Sequence, residues 1–281
     1  MSSFKKAEWI SIFWTIALLL FVRGYIVEPF KIPSGSMIPS LLIGDHLFVA
    51  KSSYDLGLPF THINIFKVSD PKRGDVVVFS YPNHERNESK EGQYYIKRVI
   101  GLPGDQVEVR GGVPIVNGNR VKQEDVDPAN FAELLPQYQV ASSSKVQRET
   151  LEGMQHSHWV QRYPYRLEQI PEVIASLRAQ VGKDCIEVGK MAQREMPFYD
   201  PILLNEVCPF KVPEGQYFVM GDNRDDSADS RDWGFVERKL LKGRALFIWL
   251  STEKNDESSI PFCVPFVNCE IRWKRFGLPI K

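Results

Sequence analysis

The sequence predicts a mainly β body, carried behind a single N-terminal membrane-spanning helix and interrupted by an inserted second subdomain. Three observations predict this. Short Val- and Phe-rich runs recur between glycine-containing turns. One apolar segment near the start is far longer than any other. A long, polar, proline-interrupted stretch separates the early runs from the late ones. The boundaries read as residues 1–8 for an N-terminal tail, 9–27 for the anchor, 28–121 and 213–281 for the β body, and 122–212 for the insertion.

The anchor reads WISIFWTIALLLFVRGYIV. Its uncharged part, Trp9 to Val22, is 14 residues long. As a helix it would span roughly 21 Å, short of a hydrocarbon core of about 30 Å. Extension to Val27 gives 19 residues, enough if Arg23 snorkels to the interface. Trp9 and Tyr25 then stand at the two interfaces, where aromatic side chains are favoured. Arg23-Gly24-Tyr25-Ile26-Val27-Glu28 offers no small-residue cleavage site, which argues against a removable leader. Lys5 and Lys6 before the run favour a cytoplasmic N-terminus, with the rest of the chain on the outer side.

In the β body, His46–Ala50, Asp75–Phe79 and Tyr94–Ile100 are strand-like runs. Gly44-Asp45 and Arg73-Gly74 open the first two, and Gly101-Leu102-Pro103-Gly104 closes the third. Gln106–Arg110 and Val113–Val116 flank a Gly111-Gly112 turn, and Asn117-Gly118 follows as a second hairpin signal. Gln216–Met220 and Arg244–Leu250 are the late strands. The insertion carries a helix-like piece, Arg166 to Gln180, with Pro171 inside it.

Lys+Arg and Asp+Glu are both 35, so the formal net charge is +0. That balance offers no support for nucleic-acid binding. The four cysteines, Cys185, Cys208, Cys263 and Cys269, form no CxxC pair, which argues against a structural zinc site. Outside the cytoplasm they suit one or two disulfides, and three complete pairings stay open.

Pro33-Ser34-Gly35-Ser36-Met37 is the first stretch with chemistry in it. If extended, Ser34 and Ser36 share one face, and Gly35 lets another backbone approach. Pro33 and Pro39 confine the stretch to an edge strand or a loop; a juxtamembrane linker is the competing reading. A serine nucleophile needs a base. His46, His62, His84, His156 and His158 stand in no triad motif, and His156-Ser157-His158 reads as a solvated loop rather than a metal-binding pair. Lys97 is the alternative base, because an apolar site lowers the pKa of a lysine. Alternation puts Tyr95, Lys97 and Val99 on one strand face and Ile96 and Arg98 on the other. A frayed strand with Lys97 and Arg98 in solvent is the competing reading. Gly221 to Gly234 is rich in acids, but Arg224 and Ser227 break the EF-hand template. An Asx-turn loop with Asp229 and Arg231 available for local pairing fits better.

Together these stretches resemble the bacterial type I signal peptidases, which are Ser-Lys proteases. Ser34-Gly35-Ser36-Met37-Ile38-Pro39-Ser40-Leu41 is similar to the family's nucleophile box. Tyr95-Ile96-Lys97-Arg98-Val99-Ile100-Gly101-Leu102-Pro103-Gly104-Asp105 is similar to the lysine box. Gly221-Asp222-Asn223-Arg224 through Arg231 is similar to a third box, and Arg73-Gly74-Asp75-Val76-Val77 to a fourth. The resemblance covers roughly 9–110 and 213–250.

It implies a signal-peptidase-like β catalytic domain, with Ser36 as nucleophile and Lys97 as general base. It also implies Ser34 beside the Ser36 N–H as oxyanion donors, Ser227 orienting the lysine amine, and Asp229 and Arg231 supporting the site. Phe30, Ile32, Met37, Leu41, Tyr95 and Ile96 match the residues lining shallow pockets for small side chains at −1 and −3. Ser40 stands where the family usually has Thr, and the anchor is single where some relatives have two. The implied partners are exported preproteins, the lipid bilayer of a bacterial inner membrane and, indirectly, the translocation machinery. No cofactor, metal or nucleic acid is implied. A maturation protease for one secretion, conjugation or pilus substrate is the nearer rival. A non-enzymatic anchored binding protein is the more distant one.

Overall fold

The computed structural model describes residues 3–57, 64–82, 92–110, 112–127, 144–152, 154–161, 209–254 and 268–281. The helix-like piece at 166–180, and Cys185, Cys208 and Cys263, lie outside them. The chain is mainly β. It opens with α1 (Ser3–Phe21), followed by a π-helical turn over Val22–Ile26. The early strands are β1 (Val27–Lys31), β2 (Asp45–Ala50), β3 (Asp55–Gly57), β4 (Asn64–Lys67), β5 (Val76–Ser80) and β6 (Tyr94–Gly101). Next come β7 (Gln106–Arg110), β8 (Val113–Val116), β9 (Asn119–Arg120), β10 (Lys122–Val126), β11 (Ser144–Leu151) and β12 (Met154–Gln161). The chain continues with β13 (Phe210–Lys211), β14 (Gln216–Met220), the helical turn α2 (Ser230–Trp233), β15 (Val236–Glu237), β16 (Leu241–Lys254) and β17 (Cys269–Ile271).

Two compact units result. The first is residues 1–32, 44–71 and 242–280. In it β1 pairs with β2, β2 with β16, and β16 with β17, all antiparallel, while β3 pairs with β4. Leu47, Val49, Ala245 and Ile248 are buried in its sheet. Asp45 is buried too, and it is paid back in hydrogen bonds: Ser251 Oγ donates at 2.6 Å and Arg275 at 3.0 and 2.6 Å. Cys269 on β17 is disulfide-bonded. Trp9–Ile26 is long and apolar enough to cross a membrane, by length and composition. Trp9, Phe13, Trp14, Leu18 and Leu19 on α1 are all more than 60% exposed, so the protein itself leaves this apolar surface uncovered.

The second unit is residues 33–43 and 72–241 with Lys281. Its central strands run β5–β6–β14–β15, antiparallel throughout. Val76, Val77, Val78 and Phe79 are all buried, so β5 is covered on both faces and reads as an unbroken apolar run. The hairpin signals are realised: Asn117 and Gly118 take φ of 52° and 78° between β8 and β9, the left-handed pair a two-residue hairpin needs. Ile100, Val107, Val109, Leu151, Phe218 and Met220 pack together as one cluster of this core.

The strands β10, β11 and β12 form a separate antiparallel sheet. His156 and His158 lie here on β12, buried, and not in the solvated loop expected of a polar stretch. Polar groups lie close to both rings. Glu149 is directly opposite His156 in the register, and Gln123 Nε2 lies 3.3 Å from His158 Nε2.

Candidate active site

Ser36 sits in a turn. The chain leaves β1 at Lys31, bends at Ser34-Gly35 and turns from Ser36 onward. Ile38 N–H donates to the Gly35 carbonyl at 3.1 Å and Leu41 N–H to the Met37 carbonyl at 2.9 Å. This is the loop option of the two, so strand alternation does not govern where the two serines point. Ser34 is exposed and Ser36 half-buried, while Met37 and Leu41 are fully buried beneath the turn.

Lys97 is at the centre of β6, opposite Val77 of β5. It is only 3% exposed, and Arg98 is 0% exposed. The strand is therefore covered on both faces, and neither cation is in solvent. Lys97 Nζ lies 2.6 Å from Ser36 Oγ and 5.8 Å from the centre of the Tyr95 ring. Burial pushes the lysine down to about 8, against the pull of Asp229 and Asp222, which favour the charged form. Tyr95 and Ile96, which precede Lys97 on β6, are half-buried. Phe30 on β1 is half-buried and Ile32 buried; both belong to the first unit.

The third element begins where β14 ends. Met220 pairs with Arg98 in the register, so the loop from Gly221 starts beside the lysine strand. Asp229 organises it. One carboxylate oxygen accepts from Gly221 N–H, Ser227 Oγ and Arg231 Nη2, each at 2.8 Å, and the other accepts from Arg231 Nε at 2.8 Å. Asp229 also N-caps α2, and its own backbone N–H donates to Asp232 Oδ2 at 3.0 Å, completing a capping box. Burial opposes ionisation of Asp229, but Arg231 beside it keeps the carboxyl below its ordinary range. Ser227 Oγ thus donates to Asp229 here.

Two residues that carried no assigned role in the sequence hold the pieces together. Asn223 donates from its backbone N–H to the Ser36 carbonyl and from Nδ2 to the Gly35 carbonyl, both at 3.1 Å. Gly221 faces Ser36 and Ser227 so closely that a Cβ there would overlap both the Ser36 carbonyl oxygen and Ser227 Oγ. Both residues stand in the Gly221-Asp222-Asn223-Arg224 stretch. The glycine was a signal for close backbone approach; the asparagine had none, because its partners are remote in sequence. Gly221→Ala is expected to fold but to lose roughly 10²-fold in turnover, since the nucleophile turn must move by a sizeable fraction of an ångström or more. Steady-state kinetics on the purified variant would check this; unchanged turnover would show that the contact is slack.

Glu149, His156 and His158 bring three potential metal-ligand atoms within 4.8 Å of one another. The carboxylate is already committed, however. Both Nη atoms of buried Arg224 donate to it, and the Arg224 charge holds it well below the usual carboxylate range despite burial. A cation among these ligands would sit against a guanidinium, so the set fits an arginine better than a metal ion.

The sequence is similar to known proteins along most of its length. The family model described as signal peptidase, peptidase S26, matches residues 6–250. A signal peptidase I from Buchnera aphidicola (subsp. Acyrthosiphon pisum) is 34% identical over 266 residues, covering 87% of this chain and 75% of its own. One from Aquifex aeolicus is 34% identical over 258 residues, covering 88% and 84%, and one from Pseudomonas aeruginosa is 31% identical over 264 residues, covering 89% and 74%. A crystal structure of a signal peptidase I from Enterococcus faecalis matches 63% of this chain and 98% of its own, at 24% identity and a TM-score of 0.30. With the family model spanning most of the length, and relatives above 30% identity aligned over nearly nine-tenths of it, the chain belongs to the signal peptidase, peptidase S26, family.

Proposed function

We propose that this protein removes N-terminal signal peptides from exported preproteins, cleaving after small residues at −3 and −1 with Ser36 as nucleophile and Lys97 as general base. The observation that carries the reading is the 2.6 Å separation of Lys97 Nζ and Ser36 Oγ with the lysine buried. A neutral Lys97 takes the Ser36 proton as Oγ attacks the scissile carbonyl carbon. The carbonyl oxygen becomes an oxyanion, which Ser34 and the Ser36 N–H would stabilise. The tetrahedral intermediate collapses, Lys97 returns the proton to the departing amine, and an acyl-enzyme remains. Lys97 then takes a proton from water, whose oxygen attacks the ester carbon; as the C–Oγ bond breaks, Lys97 passes that proton to Oγ, freeing Ser36 and the new C-terminal carboxyl group.

Asp229 and Arg231 support the loop bearing Ser227, whose hydroxyl would orient the amine. Met37, Leu41, Tyr95 and Ile96 would line the pockets for the small side chains. The cleavage segment would bind extended, as an added strand. The apolar segment 9–27 would hold the enzyme in a bacterial inner membrane, N-terminus inside, with the lipid bilayer and the translocation machinery as its neighbours. Its uncovered apolar side chains support that reading.

The test is direct. Purified protein is incubated with a preprotein carrying an A-x-A site, and the product is sequenced from its new N-terminus. Wild type should cut after the second Ala, and Ser36→Ala should leave the preprotein intact. An intact preprotein with wild type, or cleavage by Ser36→Ala, would sink the proposal.

A further inference from the structure

The sheet β10–β12 supplies none of the reacting groups, yet it buries an acid and an imidazole against the Gly221–Arg224 loop, which grips the Ser36 turn. Glu149 on β11 is 0% exposed and accepts from Arg224 Nη1 at 3.1 Å and from Arg224 Nη2. The same guanidinium donates from Nε to the Gly221 carbonyl at 3.2 Å and from Nη1 to the Gly112 carbonyl at 3.0 Å. His156 Nε2 lies 3.1 Å from Glu149 Oε2 and 3.7 Å from Asp222 Oδ1. Asp222 in turn receives both Nε and Nη2 of Arg98, at 2.8 and 2.6 Å. Of the four residues Gly221–Arg224, Arg224 is therefore bonded to β11 directly and Gly221 through the Arg224 side chain, Asp222 lies beside His156 of β12, and Asn223 grips the nucleophile turn.

We infer that Glu149 and His156 are positioning residues for the reaction: through Arg224 and Asp222 they fix the Gly221–Arg224 backbone that seats Ser36 against Lys97. The inference rests on the Ser36–Lys97 reading above. A fully buried ion pair is a poor device for stability alone, because apolar side chains of the same size do that as well or better. What an apolar pair cannot do is aim guanidinium donors at the Gly221 and Gly112 carbonyls. The arrangement thus exchanges cheap packing for a defined loop position, and loop position reports on turnover more than on substrate affinity.

The experiment uses the full chain and the A-x-A preprotein, with kcat, KM and Tm measured for each variant. Glu149→Gln should lower kcat by about 10- to 100-fold with KM within about twofold of wild type. That variant strands a buried guanidinium and loses stability, so Glu149→Leu/Arg224→Met accompanies it. The double variant should regain the wild-type Tm while kcat stays at least about tenfold down. His156→Leu should lose several-fold in kcat at constant KM. A double variant with both wild-type Tm and wild-type kcat would reduce the pair to a stability element and overturn the inference. So would a rise in KM at unchanged kcat, and wild-type kcat in His156→Leu removes His156 from it. Wild-type protein that leaves the preprotein uncut removes the peptidase reading itself, a result distinct from any of these.

Discussion

Lys97→Met is expected to abolish cleavage and, at pH 7, to make the protein more stable. An ammonium has no lone pair with which to take the Ser36 proton, so only the neutral amine is competent. Burial pushes Lys97 down to about 8, although Asp229 and Asp222 pull the other way. The limb of kcat/KM on the acid side should therefore rise with an apparent pKa near 8, about two decades below an ordinary lysine.

The stability sign follows from the same shift. Below about pH 8 the amine is protonated in both states, so the folded protein carries the whole penalty of burying the charge. The gap between 10.5 and about 8 corresponds to about 3 kcal/mol. Between about 8 and 10.5 the folded state is neutral while the unfolded chain is still charged, and the penalty fades. Methionine fills similar space without it. After loss of the bond to Ser36, a net gain of about 1–3 kcal/mol at pH 7 is expected, shrinking toward zero above pH 10.5. Thermal unfolding across that range would check it. Lys97→Arg should be as inactive as the methionine variant, since guanidinium stays protonated. An active arginine variant, or an acid limb near 10, would remove the lysine as base.

Asp222→Asn is expected to cost about 3–5 kcal/mol, more than any single change on the surface, because it leaves Arg98 buried without its counter-charge. Arg98 and Asp222 are both 0% exposed and share two hydrogen bonds. Replacing both, as Arg98→Met/Asp222→Leu, should recover much of that loss. The pH dependence follows from Asp222, which burial alone would raise but Arg98 holds at about 2. Its pairing contributes about 2 kcal/mol, present in full above about pH 4 and lost as pH falls through about 2. Chemical denaturation at pH 7 and pH 3 separates the two: an Asn variant as stable as wild type at pH 7 would mean that Arg98 finds its compensation elsewhere.

The strands were legible in the sequence where glycine-bounded apolar runs had little choice. Val76–Phe79 and Gln216–Met220 are examples, and Asn117-Gly118 announced its own turn chemistry. Ser36 and Lys97 each had a bland competing reading, a linker and a frayed strand, and it was the resemblance of the combined motifs to the signal peptidases that singled them out. Their meeting could not be read by periodicity, since Ser36 is in a turn and β6 is buried on both faces. Period-2 logic separates Lys97 from Arg98, but it cannot say that both sides are dry. The histidines of β12 were misread for a related reason. Polarity along a strand predicts solvent only when no polar partner is buried opposite, and Arg224, which makes burial of Glu149 tolerable, lies 75 positions further along the chain. Asn223 was invisible for the same cause, its contacts being 188 positions away.

The convergence of three residues on the Asp229 carboxylate has a kinetic meaning. Gly221 N–H, Ser227 Oγ and the Arg231 side chain share one acceptor, so none can let go without unsettling the others. Such a knot opens as one cooperative unit, not by fraying from an end. The amides of Gly221 and Arg231 should exchange with solvent deuterium at a common rate set by that single opening event. Between openings the loop is a rigid part, and any motion that admits a peptide to Ser36 has to take place in other segments of the chain.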